Sequence, residues 1–546
     1  MNEKEIIEYN SDQQVTIQSL IPESKKYKYI CARIDGRLRE LSYVVKKPCK
    51  IELFGVFNDV EAMQIYKNTL MFVVAMALHN LYPEEKMLFS NDVSRSIFIR
   101  PKNIDDKFST SKIFKLNQEI KRITSEDIKI ERREIKKEEA IKEYTKFNML
   151  DKVEVLKYRD DEYIHQYVCD GYIDYMYGYI APSTKYVSYF NIVARNPGFL
   201  VQYPRVEENG RIPPFIPETV YEKTLEDARS LASKLNVGTI ADINNFIEKY
   251  GDNDLIQTSE TIITNQLAEV GEMIINSPSK IKLICVAGPS SSSKTTFSNR
   301  LRLELMSRGL FPIRISLDDY YIERDKLPVE EDGSVDFETI RALDIQLFNE
   351  NMFDLIEGKE VTLPYFNFQT GKSEKGRTLK LGDNQPIIVE GIHALSEEMT
   401  ASIPSENKFK IYIAPQAQIN IDDHSPISLT DLRMLRRIVR DYQFRNSGVE
   451  YTLNMWPKVR NGEFNWIYNT QQEADYVFNS FMFYELCVMK NHAYPLLNKV
   501  GKDSPYYAIT RRLILFLKYF KTIDESTIPS NSLIREFIGG SCFKDV

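Results

Sequence analysis

Apolar and polar positions alternate in short runs through the first 60 residues, as in VTIQSL, YICARIDGRLRELSYVV and CKIELFG. This predicts strands joined by tight turns, one of them at Asp35-Gly36. The pattern then lengthens. Ala62 to Leu81 is apolar on a helical period and stops before Pro83, and residues 105–147 are charge-rich and read as largely helical. Residues 163–203 return to aromatic-dense, strand-like runs, and the proline cluster RIPPFIPE at 211–218 closes the block. Helical periodicity at 219–249 and 257–277 predicts a structured connection. From 281 onward, apolar runs of strand length alternate with helical patterns, as in a parallel α/β sheet. LILFLKYF at 513–520, flanked by basic residues, predicts an amphipathic helix and not a membrane span.

A chain of 546 residues is long enough for three or four domains. Its net charge of -7 offers no global basic field for nucleic acid, although a local basic patch stays open. The 6 cysteines have no C-x-x-C pair or metal-ligand spacing, and the 5 histidines are dispersed. The beginning, MNEKEIIEYN, does not read as a signal peptide, and no apolar stretch is long enough to span a bilayer. These features give the expectation of a cytoplasmic protein with reduced thiols and no membrane partner.

The chemistry concentrates at IKLICVAGPSSSSKTT, residues 281–296. It is one residue from the pattern G-x-x-x-x-G-K-[ST], in which a strand breaks into a turn that aims backbone N–H groups at phosphate oxygens. Gly288, Pro289, Ser290, Ser291, Ser292 and Ser293 make the turn, and Lys294, Thr295 and Thr296 open the helix. Lys294 would contact phosphate, and Thr295 would place its hydroxyl on the Mg²⁺ that accompanies ATP. Ser293 stands where the pattern has glycine, so a chance serine-rich turn is the competing reading.

The rest of the α/β block supplies carboxylates and arginines. PIRISLDDYY (312–321) ends a strand in Asp318 and Asp319, where a carboxylate can take the proton of an attacking hydroxyl; helix capping is the bland alternative. PIIVEGI (386–392) ends in Glu390, placed to hold Mg²⁺ or to form an edge salt bridge. Arg433, Arg437 and Arg440 fall at i, i+4 and i+7 of a helical stripe. Such a stripe is ordinarily a solvated face, but beside a phosphate loop it can close over transferring phosphates.

Residues 281–500 resemble the uridine kinase family. The resemblance implies that Asp318 is the general base for a ribose 5′-hydroxyl, with Tyr320 beside it and Glu338, in VDFETIRALD, at the sugar. It implies Glu390 and Thr295 for Mg²⁺, and Arg437, Arg440 and Arg445 for a lid, with Arg437 also reaching the substrate. A further lid arginine of that family falls on Ser447. In PYFNFQTGK (364–372), Phe366 takes the place of the family's base-reading tyrosine and Gly371 that of its histidine. Stacking could survive on Phe366, but pyrimidine selectivity would not carry over.

The N-terminal half resembles the first two domains of threonyl-tRNA synthetases, through ALHNLYPEEK, ERREIKKEEAI and DGYIDYMYGYIAPSTKY. The paired histidines, Cys and His of the editing chemistry fall on Asn68, Phe72, Met176 and Ile180, which implies neither hydrolysis nor metal there. LIREFIGGS resembles the usual C-terminus of such fusions. The expected architecture is multidomain α/β and α+β. It has a TGS-like β-grasp module at 1–60, an α+β editing-like domain at 61–235, a helical linker at 236–280, a P-loop kinase with a parallel sheet at 281–500 and a helical extension at 501–546. The expected activity is ATP-dependent phosphorylation of a nucleoside or related small molecule with altered base preference. A weakly catalytic nucleotide-binding protein, with RNA at its N-terminal domains, is the alternative. The oligomeric state is left open.

Overall fold

The computed structural model describes residues 5–56, 59–103, 105–323, 326–327, 336–368 and 370–544. Met1 to Lys4, Val335 and Gln369, which begin or interrupt segments singled out above, lie outside the described residues. The protein is multidomain, mixing antiparallel sheets in its first half with a parallel sheet in its second. The Asp35-Gly36 turn joins Cys31–Ile34 to Arg37–Glu40, with φ of 50° and 71°. Two left-handed residues match the twist of a two-residue hairpin, which is why an Asp-Gly pair sits there. The apolar run beyond it is the helix Val60–Leu81, started by the Asp59 side chain and buried along most of its length. Its core is continuous with that of the strands before it, from Tyr9 to Tyr203.

One stretch of the helical reading fails. Glu131–Lys136 is a strand, not part of a charged helix. It lies at the edge of a three-stranded sheet and pairs with Tyr163–Cys169, so ladder hydrogen bonds override a sequence with little apolar periodicity.

The second half is built on five parallel strands: β1 (Leu283–Ala287), β2 (Ile313–Ser316), β3 (Ile387–Glu390), β4 (Lys408–Ala414) and β5 (Tyr476–Asn479). Their order is β2-β3-β1-β4-β5. Strands β1, β3 and β4 are buried at every position, as expected where helices cover both faces. One face packs on helices that include Ile240–Tyr250, Asp252–Ile275 and Tyr507–Leu517, so the helical connection and the C-terminal extension belong to this core. A second cluster, from Leu317 to Val477, fills the other face.

The two halves meet at the segment leading out of β4. Lys152, fully buried, lies 2.6 Å from Asp174 and 3.0 Å from Asp422, and Lys102 lies 2.7 Å from Asp423. Among the described residues no helix is long and apolar enough to cross a membrane.

Candidate functional site

Register sets the site. Ser316 and Glu390 are opposite each other, as are Glu390 and Val286, so β1, β2 and β3 end at one sheet edge. Parallel sheets collect ligands at that edge. The turn 288–293 leaves β1 there and enters the helix Lys294–Ser307, called the loop helix below. Gly288 must be glycine, since a Cβ there would lie 2.0 Å from the Ile413 carbonyl oxygen of β4. Ser293 has φ 71° and ψ 33°, the left-handed conformation that the pattern's glycine supplies. A serine bears this at a cost of roughly 1–2 kcal/mol.

The loop is clamped from outside by the helix Leu429–Phe444, the arginine helix. Arg433 donates to the Ser290 carbonyl at 3.0 Å and pairs with Glu463. Arg436, fully buried, donates to the Ser291 carbonyl at 3.2 Å and to Glu485 at 2.6 Å. Arg437 donates to Ser290 Oγ at 2.8 Å. Arg433 is thus a clamp on the loop, and Arg436, outside the stripe read from sequence, is a second one.

Inside the cradle, Lys294 Nζ donates to the carbonyls of Gly288 at 3.0 Å and Pro289 at 3.3 Å. Burial pushes its ammonium down, against the pull of Glu390, Glu536 and Asp318. Thr295 Oγ1 and Ser316 Oγ approach Glu390 Oε1 at 3.5 and 3.3 Å. Burial, then the charge of Asp318, raises Glu390 to about 7. Among the described residues, the hydroxyls of Ser291 and Ser292 are buried without a hydrogen-bond partner. Orphaned donors on the loop, an ammonium turned back on its own carbonyls, and a hydroxyl–carboxylate pair together fit a phosphate chain with a divalent cation. The Thr296 N–H and hydroxyl, by contrast, are both held by Glu536, at 3.1 and 3.0 Å.

Asp318 and Asp319 lie on the short turn Leu317–Tyr320 that follows β2, and it is Ser316, not an aspartate, that caps this turn. Asp318 is open to the solvent of the cleft. The surrounding protein pushes its carboxyl up, while Lys294, Arg445 and Arg440 pull it down, so Asp318, the loop lysine and these arginines share one field. Arg437, Arg440 and Arg445 crowd around a single acid, Asp441, at 3.2, 2.9 and 3.6 Å. Arg440 consequently depresses Arg445, the mark of a local excess of positive charge. Ser447 donates its Oγ to the Arg445 carbonyl at 3.2 Å and does not carry a charge into the cleft.

Two substrate positions are arranged otherwise than the sequence suggests. Tyr320 is not brought to the cleft: it is buried against Phe348, with Asn351 donating to its hydroxyl at 3.2 Å. Its neighbour Tyr321 instead sits among Phe337, Phe366 and Phe368. Phe366 is also buried, only 2% exposed, whereas Phe368 is 55% exposed and stands over it. The ring available for stacking is therefore Phe368. Gly371 has φ 68° and closes the turn onto the Asn367 carbonyl, a conformation that disfavours any residue with a side chain.

Residues 283–485 match the phosphoribulokinase / uridine kinase family. A uridine kinase of Macrococcus caseolyticus is 32% identical over 182 residues, 33% of this chain and 79% of that protein. The chain belongs to that family. A threonine–tRNA ligase of Clostridium kluyveri is 31% identical over 228 residues of the N-terminal region, 41% of this chain. The chain spans only 34% of that ligase's length. Among solved structures, a possible uridine kinase from Bacillus stearothermophilus aligns at 19% identity, with a TM-score of 0.26, over 40% of this chain and 98% of that one.

In this member of the phosphoribulokinase / uridine kinase family, Glu338 packs closely on Gly462, and His393 Nε2 meets its backbone carbonyl at 2.9 Å. Burial raises its carboxyl to about 7, against the pull of Arg437. An acid raised above its ordinary 4.5 favours the folded state below that value, and the contribution is lost as pH rises to about 7. Glu338→Gln is therefore expected to melt higher than the wild type at alkaline pH, by up to about 2–3 kcal/mol, with the gap closing near pH 5. Thermal melts across that range check it, and a gap independent of pH would refute the cause given.

The four N-terminal positions singled out in the sequence lie as follows. Asn68 Nδ2 donates to the carbonyls of Tyr177 and Tyr179 at 3.4 Å, and Phe72, Met176 and Ile180 are buried in the same core.

Proposed function

We propose that this chain transfers a phosphoryl group from ATP, bound with Mg²⁺, to a hydroxyl of a nucleoside or similar sugar alcohol at the cleft formed by β1, β2, β3 and the arginine helix. The observation that carries the reading is the convergence of Lys294, Thr295–Glu390, Asp318 and Arg440–Arg445 at one sheet edge. Asp318 Oδ accepts the proton of the acceptor hydroxyl. Lys294 and the loop N–H groups hold phosphate oxygens, and Arg437, Arg440 and Arg445 neutralise charge from the opposite side. Thr295 and Glu390 would hold the Mg²⁺, which when bound would neutralise phosphate charge. Glu338 would take acceptor hydroxyls, and Tyr321 with Phe368 would offer an apolar wall to a base. Such a wall selects by shape and stacking, so a larger base is tolerated and uridine is not strongly preferred.

The division into modules at 1–60, 61–235, 236–280, 281–500 and 501–546 belongs to the same proposal. Lacking acid/base and metal-binding side chains at Asn68, Phe72, Met176 and Ile180, the N-terminal half binds, with RNA its first candidate, and does not hydrolyse.

The reading is tested at Lys294. Calorimetry of Lys294→Ala is expected to show MgATP binding weakened by roughly 1.5–3 kcal/mol, the worth of a charge-assisted hydrogen bond. Unchanged affinity would remove the loop from the nucleotide site. One observation bears on how nucleotide reaches the loop: Thr296 already has an acid on it.

A further inference from the structure

That acid comes from the far end of the chain. Glu536 lies on the single turn Arg535–Ile538, 240 residues beyond Thr296, and its Oε2 accepts both the Thr296 N–H and the Thr296 hydroxyl. Thr296 is the third residue of the loop helix, and its N–H is one of those left without a partner inside the helix. The Ser293 side chain makes no capping bond. Such N–H groups, at the mouth of a glycine-and-serine loop, are what a phosphate chain uses.

The placement of Glu536 is built and not incidental. Leu533, Ile534 and Phe537 are fully buried. Arg535 donates to the carbonyls of Glu525, Ile528, Pro529 and Gly539, locking the turn. The Phe537 ring lies 5.0 Å from the guanidinium of Arg436, the same arginine that clamps Ser291. The groups facing Glu536 across the cleft include Lys294, which it stabilises, and Glu390, which it repels. An acid held beside another acid, on a donor a nucleotide needs, is a costly way merely to cap a helix.

Building on the nucleotide reading above, we propose that Glu536 occupies an anion position of the phosphate cradle, and that the C-terminal segment is an autoinhibitory strap which nucleotide must displace. Nucleotide phosphate and the Glu536 carboxylate then compete for Thr296, so binding at the loop is coupled to release of residues 533–540 from the arginine helix. The alternative, a permanent cap, predicts that Glu536 stays in place when nucleotide binds.

Calorimetry with MgATP on the full chain, wild type against Glu536→Gln and Glu536→Asp, separates them. The strap predicts affinity rising about tenfold in Glu536→Gln, with a smaller gain in Glu536→Asp, whose shorter side chain reaches less far. It also predicts that amide exchange in residues 533–540 of the wild type speeds up on adding MgATP. Affinity in Glu536→Gln equal to or below the wild type, with binding still weakened in Lys294→Ala, overturns the strap and leaves the nucleotide site standing. Absence of MgATP binding in every one of these proteins overturns both. If Glu536→Gln does not fold, wild-type exchange decides alone, and exchange unchanged or slowed by MgATP counts against the strap.

Discussion

Asp318→Asn is expected to lower turnover by roughly 10²–10⁴-fold while leaving MgATP affinity close to that of the wild type. The amide keeps the shape of the side chain but cannot take the proton of the acceptor hydroxyl. Nucleotide affinity is spared because the proposed phosphate contacts lie on the loop and the arginines, whereas the Asp318 N–H goes to Ser316 Oγ at 3.3 Å. Asp319 is the internal control. It sits next to Asp318 in the same turn, but the Phe366 backbone N–H is its partner, which turns it toward the hairpin Val361–Asn367 and Lys372–Leu379. Steady-state kinetics with calorimetry on both variants check this. A larger defect in Asp319→Asn, or equal turnover in Asp318→Asn, would move the base elsewhere.

Glu485→Ala is expected to cost about 3–5 kcal/mol of stability, because it strands a buried guanidinium. Arg436 and Glu485 are both fully buried, and the arginine also donates to the Ser480 carbonyl at 2.9 Å. Removing both charges is a different matter. Arg436→Leu with Glu485→Leu leaves no unpaired ion and should recover part of that loss. The recovery is partial because the carbonyls of Ser291 and Ser480 lose their donor. Urea melts of the three proteins give the comparison; a single variant as stable as the wild type would show that the pair does not hold the loop.

The loop itself was legible in the sequence because its chemistry is local. Gly288 to Thr296 are contiguous, and the glycine, the lysine and the hydroxyl after it are needed at fixed offsets. Asp318 and Glu390 were legible for a related reason: both follow buried apolar runs, and a parallel sheet brings such strand ends to one edge. What escaped depends on contacts between distant segments. Arg436 looks like any other residue of an arginine-rich helix until it is found facing Glu485. Glu536 is one acid in a short tail. Tyr320 and Tyr321 differ only in which way a single turn points them, and Phe368 is lifted off the buried face because the turn at Asn367 begins just before it. The charged strand Glu131–Lys136 is specified by its partner and not by its own pattern.

The central claim is that this cleft turns over an acceptor and does not merely hold nucleotide. It is tested most directly by measuring ADP release from MgATP with purified full-length protein against a panel of purine and pyrimidine nucleosides. The account predicts acceptor-dependent release, lowered at least about a hundredfold in Asp318→Asn, with no preference for uridine beyond about a hundredfold. MgATP binding that depends on Lys294 but yields no acceptor-dependent ADP with any of them would contradict it.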